Sequence, residues 1–265
     1  MIDLPFDPDV VVFGMRLMAW HSVFAIVGML VGVGIAVRLI RDRVPEDRAY
    51  AIAAWAVGAG FVGARLLHVA EKWDVYLADP GRIVAVWDGG SSILGAVIGG
   101  FAAIAVVGWR MHVPVGYVLD AVASVAGIGM AIGRIGDVIN GEHHAVACTG
   151  LPWCIRYTNP NTLGQRDYVH PAVAYELVLD LAVAAVLLRL RPLVAGRQPE
   201  GRLMWLFLVL YSTGRFWISF LRLDPIVFAG LREAQIVSVI LVALGLGASV
   251  YLAAMRRQRI AVARV

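Results

Sequence analysis

Residues 18–37 read MAWHSVFAIVGMLVGVGIAV, twenty positions without one charged side chain. A helix rising about 1.5 Å per residue needs about 20 apolar residues to cross a hydrocarbon core of about 30 Å. The run therefore has the length and composition of a membrane span. Six further runs of the same kind follow, near 49–69, 91–109, 115–133, 171–189, 203–221 and 235–255. The 265-residue chain is 60% hydrophobic and 16% charged, against about 25% charged in an ordinary soluble domain. Its mean hydropathy is +0.77. These features exclude a soluble enzyme. They predict an all-α integral membrane protein of seven transmembrane helices, read as a single polytopic membrane domain over 1–265. The 28 glycines fit close helix packing in lipid.

Arginine placement gives a topology. Arg38, Arg41, Arg43 and Arg48 follow the first run, and Arg110 follows the third. Arg189, Arg191, Arg197 and Arg202 follow the fifth, and Arg256, Arg257, Arg259 and Arg264 form the tail. The positive-inside rule puts these segments in the cytoplasm, with the N-terminus out and the C-terminus in. The longest connection, 134–170, is then an extracytoplasmic loop, and Pro152, Asn159-Pro160-Asn161 and Gly164 within it read as turns. An oxidising exterior makes a Cys148–Cys154 disulfide the expectation, two free thiols the alternative. The N-terminus is acidic (Asp3, Asp7, Asp9) and lacks the basic segment of a cleavable signal. The net charge of +4 is carried almost entirely by arginine, since Lys72 is the only lysine. The arginines are scattered between runs and make no single basic face, so no nucleic-acid partner is expected.

Six charged strings fall at the outer ends of the runs. They are Gly63-Ala64-Arg65, Trp87-Asp88-Gly89-Gly90, the stretch Gly133-Arg134-Ile135-Gly136-Asp137-Val138-Ile139-Asn140-Gly141-Glu142, then His170-Pro171-Ala172-Val173-Ala174-Tyr175-Glu176, Gly214-Arg215-Phe216, and Arg232-Glu233-Ala234-Gln235. An arginine at the centre of a spanning helix costs about 2.5–3.5 kcal/mol on insertion scales. Converging arginines and carboxylates could clamp a phosphate head group, because the guanidinium fork matches phosphate oxygens. Arg134 is read as opening a Gly-x-x-Gly turn, and Arg215 lies within an apolar helix; Glu142 and Glu176 are the nearest counter-charges. Plainer roles exist. Arg65, Arg82, Arg156 and Arg166 can snorkel to lipid phosphates, and Asn140 can cap a turn. His170 can serve helix entry, and Trp73, Trp87 and Trp153 can anchor at the interface. No metal site is expected: His143 and His144 are adjacent and do not share a helix face. The chain has no H-E-x-x-H, G-x-S-x-G or P-loop string, and no cofactor is expected.

Taken together, Gly133-Arg134-Ile135-Gly136-x-x-Ile139-Asn140-Gly141-Glu142, Leu151-Pro152-Trp153, His170-Pro171-x-x-x-Tyr175-Glu176 and Gly214-Arg215-Phe216 resemble the phosphatidylglycerol–prolipoprotein diacylglyceryl transferase family. Gly63-Ala64-Arg65, Trp87-Asp88-Gly89-Gly90 and Gln235 support the likeness, which extends from about 15 to 255. The resemblance implies transfer of a diacylglyceryl group from phosphatidylglycerol to the lipobox cysteine thiol in the signal peptide of a preprolipoprotein, with glycerol-1-phosphate leaving. It implies a bacterial cytoplasmic (inner) membrane protein, active as a monomer, its site toward the extracytoplasmic side. By motif, Arg134 and Arg215 would hold the phosphate. Asn140 and Glu142 would order the site with support from Glu176, and Arg65, Gly136, Asp137, Gly141 and Tyr175 would line it.

The chain departs from the family pattern at several polar positions. Leu94 stands where a histidine is usual, Asp137 where an asparagine is, His21 where a tyrosine is, and Ser219 where an acid is; His143-His144-Ala145 lacks the usual glycine. A free thiol titrates near about 8.5 and attacks as thiolate. The site therefore needs a base or a strong positive field, and Leu94 cannot be the base. His170, His143 and Glu142 are the candidates. A family paralogue that binds lipid or peptide without transfer remains compatible with these departures. So does a small-anion transporter, although the chain lacks the inverted repeats common in transporters.

Overall fold

The computed structural model describes residues 1–13, 15–85 and 89–262. Trp87 and Asp88 of the second charged string, and Arg264 of the tail, lie outside the described residues, as do the side chains of Arg256, Arg257 and Arg259. The fold is mostly helical. Seven long helices coincide with the seven apolar runs: α1 (Trp20–Ile40), α2 (Glu46–Glu71), α4 (Ile93–Arg110), α5 (Val115–Asn140), α6 (Ala172–Val194), α7 (Arg202–Ile218) and α8 (Glu233–Val262), with a short α3 (Trp73–Ala78) after α2. Six of the seven are long and apolar enough to cross a membrane. The exception, α6, carries Glu176, Asp180, Arg189 and Arg191. Among the described residues there are also three small two-stranded sheets: β1 (Ile2–Leu4) parallel to β4 (Ile155–Tyr157), and the antiparallel hairpins β2 (Asp9–Val12) with β3 (Met15–Ala19), and β5 (Ile226–Phe228) with β6 (Leu231–Arg232).

The chain forms two compact units, Val37–Leu119 and the remainder, Met1–Ala36 with Asp120–Val265. In the smaller unit α2 and α4 touch backbone to backbone. A Cβ on Gly63 would lie 2.4 Å from the Gly95 carbonyl oxygen, and one on Gly95 would lie 2.2 Å from that of Gly63. Helices in lipid gain no hydrophobic drive from one another, so small residues that allow such contact are what hold them together. Arg65 is buried here. Its five N–H donors all go to carbonyls, of Ile83, Gly89, Gly90, Arg82 and Ala85, at 2.6–3.1 Å.

In the larger unit α5 makes close contact with α1, where a Cβ on Gly28 would meet the Gly129 carbonyl oxygen at 2.3 Å, and with α6, where one on Gly127 would meet that of Asp180 at 2.1 Å. Asp120 of α5 is fully buried and accepts the backbone N–H groups of Gly201, Leu203 and Met204. These are the donors that the start of α7 would otherwise leave unsatisfied. Several polar groups are inside and many large apolar ones outside: Glu176, Asp180 and Gln235 are at most 1% exposed, whereas Leu30, Trp217, Leu244 and Val250 exceed 50%. That reverses the soluble pattern and fits a hydrocarbon surround.

The structure alters one expectation. The string from Gly133 is helical, not a turn: α5 continues through Gly133 and Gly136 to Asn140, so the connection starts at Gly141. Glycine inside a helix costs only about 1 kcal/mol, and Gly136 is needed because its missing side chain admits the backbone of Trp20 and His21. The connection is also tightly built. A disulfide joins Cys148 and Cys154. Asp3 of β1 accepts from Arg156 Nε and Nη2 at 2.7 and 3.0 Å and from the Tyr168 hydroxyl at 2.8 Å. Tyr157 donates to the Val138 carbonyl at 2.7 Å, and burial pushes its phenol up to about 12.

Two tests follow from these contacts. Gly63→Val should lower the unfolding midpoint in detergent by the equivalent of about 1–3 kcal/mol, the usual cost of overpacking. The hydrogen bonds from Arg156 and Tyr168 hold Asp3 down to about 2. A depressed carboxyl contributes stability above its unfolded value near about 4, and loses it as pH falls through the folded value. Amide exchange in β1 should therefore rise between about pH 4 and 2, and Asp3→Asn should remove that step.

Candidate active site

A buried ionic cluster occupies one region of the larger unit. Its hub is Glu176, in the first turns of α6 and 1% exposed. Three arginines converge on its carboxylate. Arg222 Nη1 lies 3.1 Å from Oε1, and Arg215 Nη1 donates to the same oxygen. Arg134 Nη2 stands 2.8 Å from Oε2, an ion pair without the alignment of a hydrogen bond. Helical spacing explains the convergence. Arg134 lies near the end of α5, Arg215 lies in the last turn of α7, and Arg222 follows seven residues later, past the 3₁₀ turn Ser219–Leu221.

Each arginine is compensated differently. Arg134 also donates to Asp137 Oδ2 at 3.0 Å, one turn along α5, and its Nε is 3.9 Å from Asp180. Arg222 is paired with Asp224 through Nε at 2.9 Å and donates to His143 Nδ1 at 3.0 Å. Arg215 donates only through Nη1 among the described residues. It is thus the guanidinium with the fewest ion pairs of the three among the described residues, and the one acid that it hydrogen-bonds is already shared three ways. Burial, helped by the Arg222 charge, pushes His143 below the ordinary imidazole value. Burial works to raise Asp224, but the hydrogen bond from Arg222 holds it below the usual carboxylate range.

The outer rim of the cluster holds the other expected residues. His21, at the start of α1, shares a hydrogen bond between its Nδ1 and Asp137 Oδ1. Asn140 donates to Glu142, which is exposed, and the Asn140 carbonyl accepts the Thr162 hydroxyl at 2.9 Å. Gly141 has φ +78° and no room for a side chain against Gly164. His170 and Tyr175 form a separate pair, His170 Nδ1 to the hydroxyl at 3.2 Å, while Trp153 Nε1 donates to that hydroxyl at 2.9 Å. The structure thus brings together Arg134, Asp137, Glu176 and Arg215, with Asn140 and Glu142 paired at the end of α5. Arg65 has no N–H left for a phosphate, and we assign it to holding its loop.

Sequence reasoning missed Arg222, Asp180, His21 and Asp224. Asp180 is four residues after Glu176 and shares its helix face, and Arg222 repeats the face of Arg215 at a seven-residue interval; that spacing was the available signal. No group of three or more acidic, histidine or cysteine residues poised for a metal occurs among the described residues.

Residues 8–251 match the family model described as prolipoprotein diacylglyceryl transferase. Among similar curated proteins, the phosphatidylglycerol–prolipoprotein diacylglyceryl transferase of Synechococcus elongatus is 33% identical, over 94% of this chain and 89% of the relative. That of Nostoc sp. is 35% identical over 94% and 90%, and that of Clostridioides difficile 33% over 94% and 96%.

The ionic hub can be tested without substrate. Glu176→Gln keeps size but leaves three guanidiniums facing no shared charge. Breaking a buried ion network from one side costs about 3–5 kcal/mol, so the thermal midpoint in detergent should fall sharply, with Glu176→Asp intermediate. An unchanged midpoint would show that the arginines find other partners.

Proposed function

The chain belongs to the prolipoprotein diacylglyceryl transferase family, and on that premise we propose how its residues carry the reaction. The protein is a multi-pass membrane enzyme that transfers a diacylglyceryl group from phosphatidylglycerol to prolipoprotein. In our reading it is one polytopic domain of seven spans, acting as a monomer in the bacterial inner membrane. α6 is the seventh span, its acids turned inward to the arginines. The N-terminus and the disulfide-closed connection 141–171 face the extracytoplasmic side, and the arginine-rich connections face the cytoplasm.

The acceptor is the lipobox cysteine thiolate. It displaces glycerol-1-phosphate from the glyceryl carbon next to the phosphate ester: a C–S bond forms, a C–O bond breaks, and the electron pair leaves with the phosphate. Charge therefore grows on the phosphate in the transition state. Arg215, with unused donors, meets that growth, and Arg134 assists from the other oxygen of Glu176. Groups already aimed at developing charge in a water-poor site lower a barrier without reorganising. Glu176 and Arg222 hold the two working guanidiniums in place. Asn140, Glu142, Gly136 and Gly141 shape the rim, and His170 with Tyr175 borders it. The observation that carries this reading is the convergence of three arginines on one buried carboxylate.

Reconstituted protein, phosphatidylglycerol vesicles and a lipobox peptide provide the test. Arg215→Ala should cut kcat by about 10²–10³-fold, the usual cost of losing one such donor, and Arg134→Ala should do similar damage. Arg215→Lys should recover only part, since it restores charge without the fork. Full activity in Arg215→Ala would remove the clamp.

A further inference from the structure

We propose that His21, oriented by Asp137, is the base that takes the lipobox thiol proton in this protein. The inference rests on the transferase reading above and adds to it the proton acceptor that Leu94 cannot supply.

Hydrogen bonding sorts the histidines around the cluster. An imidazole can act as a base only through a nitrogen whose lone pair is free. His143 Nδ1 receives a hydrogen bond from Arg222, which can only donate. Its proton therefore sits on Nε2, the nitrogen 3.8 Å from Asp137, and no lone pair remains. His170 Nδ1 is tied to the Tyr175 hydroxyl, which also accepts from Trp153, and no carboxylate stands behind the ring to fix its tautomer. His144 directs Nε2 to the Leu163 carbonyl on the exposed loop, with no carboxylate behind it.

His21 has the opposite arrangement. Its Nδ1 faces the Asp137 carboxylate, so the proton belongs on Nδ1 and the lone pair on Nε2. Nε2 makes no hydrogen bond among the described residues, and the side chain is 43% exposed, against 7% for Asp137. The carboxylate fixes the tautomer and the ring plane, as a buried acid does for a general-base histidine.

Two further contacts set this pair in the phosphate-binding cluster. The second oxygen of Asp137 accepts from Arg134 at 3.0 Å. Arg134 and the imidazole thus hold the two oxygens of one carboxylate. Gly136 lets the α1 backbone approach until a Cβ there would stand 2.6 Å from His21 Cα, which brings the ring to its partner. The charged groups facing the imidazole are Asp137 and Arg134 of α5 and Glu142 beyond its end.

In the step itself the thiol S–H bond breaks and its proton moves to His21 Nε2. The thiolate forms the C–S bond, and the departing phosphate monoester keeps the C–O electron pair. The imidazolium then releases its proton to water.

The test compares two nucleophiles on full-length protein in phosphatidylglycerol vesicles. With a cysteine lipobox peptide, His21→Gln should lose about 10²-fold or more in kcat, the usual worth of general-base catalysis, with KM for the lipid little changed. Its rate should also lose the rise with pH that deprotonation of an imidazole gives the native enzyme. With a selenocysteine peptide, whose more acidic selenol needs no base, the same variant should lose far less. Asp137→Asn should show a smaller loss of the same selective kind, and imidazole added to His21→Ala should restore part of the cysteine rate. Equal losses on both nucleophiles would make His21 merely structural and overturn the inference, as would a native rate and pH profile in His21→Gln. His21→Asn serves the same comparison if the glutamine variant does not fold. Native protein that transfers to neither peptide would overturn the transferase reading and this inference together.

Discussion

A single buried carboxylate organises the ionic cluster of the larger unit. Glu176 is shared by Arg134, Arg215 and Arg222, which reach it from α5, from α7 and from the turn beyond α7. Removing ions from water is costly, and mutual attraction repays the cost only when geometry and further hydrogen bonds are good. The supporting bonds are present: Asp137 on Arg134, and Asp224 and His143 on Arg222. The position of α6 follows from this. Its charges disqualify it as an ordinary lipid-facing span, and they are also why it lies at the centre, with Glu176, Asp180, Val183, Ala184 and Leu187 buried along one side.

Around the hub, rigidity comes from backbone contact and from a tied-down connection. α5 presses on α1 and α6 through glycines. Its last turn is held by Tyr157 on the Val138 carbonyl and Thr162 on the Asn140 carbonyl. The disulfide, the β1–β4 pairing and the Asp3–Arg156 fork fix the segment that supplies Tyr157 and Thr162. A site is only as precise as the elements beneath it, and here a loop of little regular structure becomes a fixed support through bonds between distant positions.

Hydropathy made the seven helices legible, since runs such as 18–37 have a single plausible conformation in hydrocarbon. It missed the β2–β3 hairpin because Val10, Val11, Val12, Met15 and Leu17 merge with the first span in composition, and strand pairing across a tight turn leaves no long-range pattern. It misread Gly133 and Gly136 because glycine signals either a turn or a close helix contact, and only the presence of α1 decides between them. Motif reading found Arg134, Glu176 and Arg215. It could not find Arg222, or the bond between His21 and Asp137, because those depend on which positions meet in space. The separation of 116 residues between His21 and Asp137 has no local signature.

Arg65 and Arg215 show why burial alone does not identify an arginine that works on a ligand. Both are buried or nearly so, and both sit in glycine-containing strings; from sequence Arg215 reads as a phosphate ligand and Arg65 as lining the same site. Their hydrogen bonds separate them. The guanidinium of Arg65 gives all five donors to carbonyls, which are neutral, fixed and already optimally placed. To bind a phosphate it would first have to abandon a folded loop and leave those carbonyls unsatisfied, at a cost comparable to what the phosphate could return. Arg215 gives one donor to a carboxylate claimed by two other cations. The proposed clamp rests on this difference: an anion arriving there would meet unused donors, with no hydrogen bond to break beforehand. The role proposed for Arg215 therefore rests on its uncommitted hydrogen-bonding capacity, a property fixed by its neighbours and invisible in its own motif.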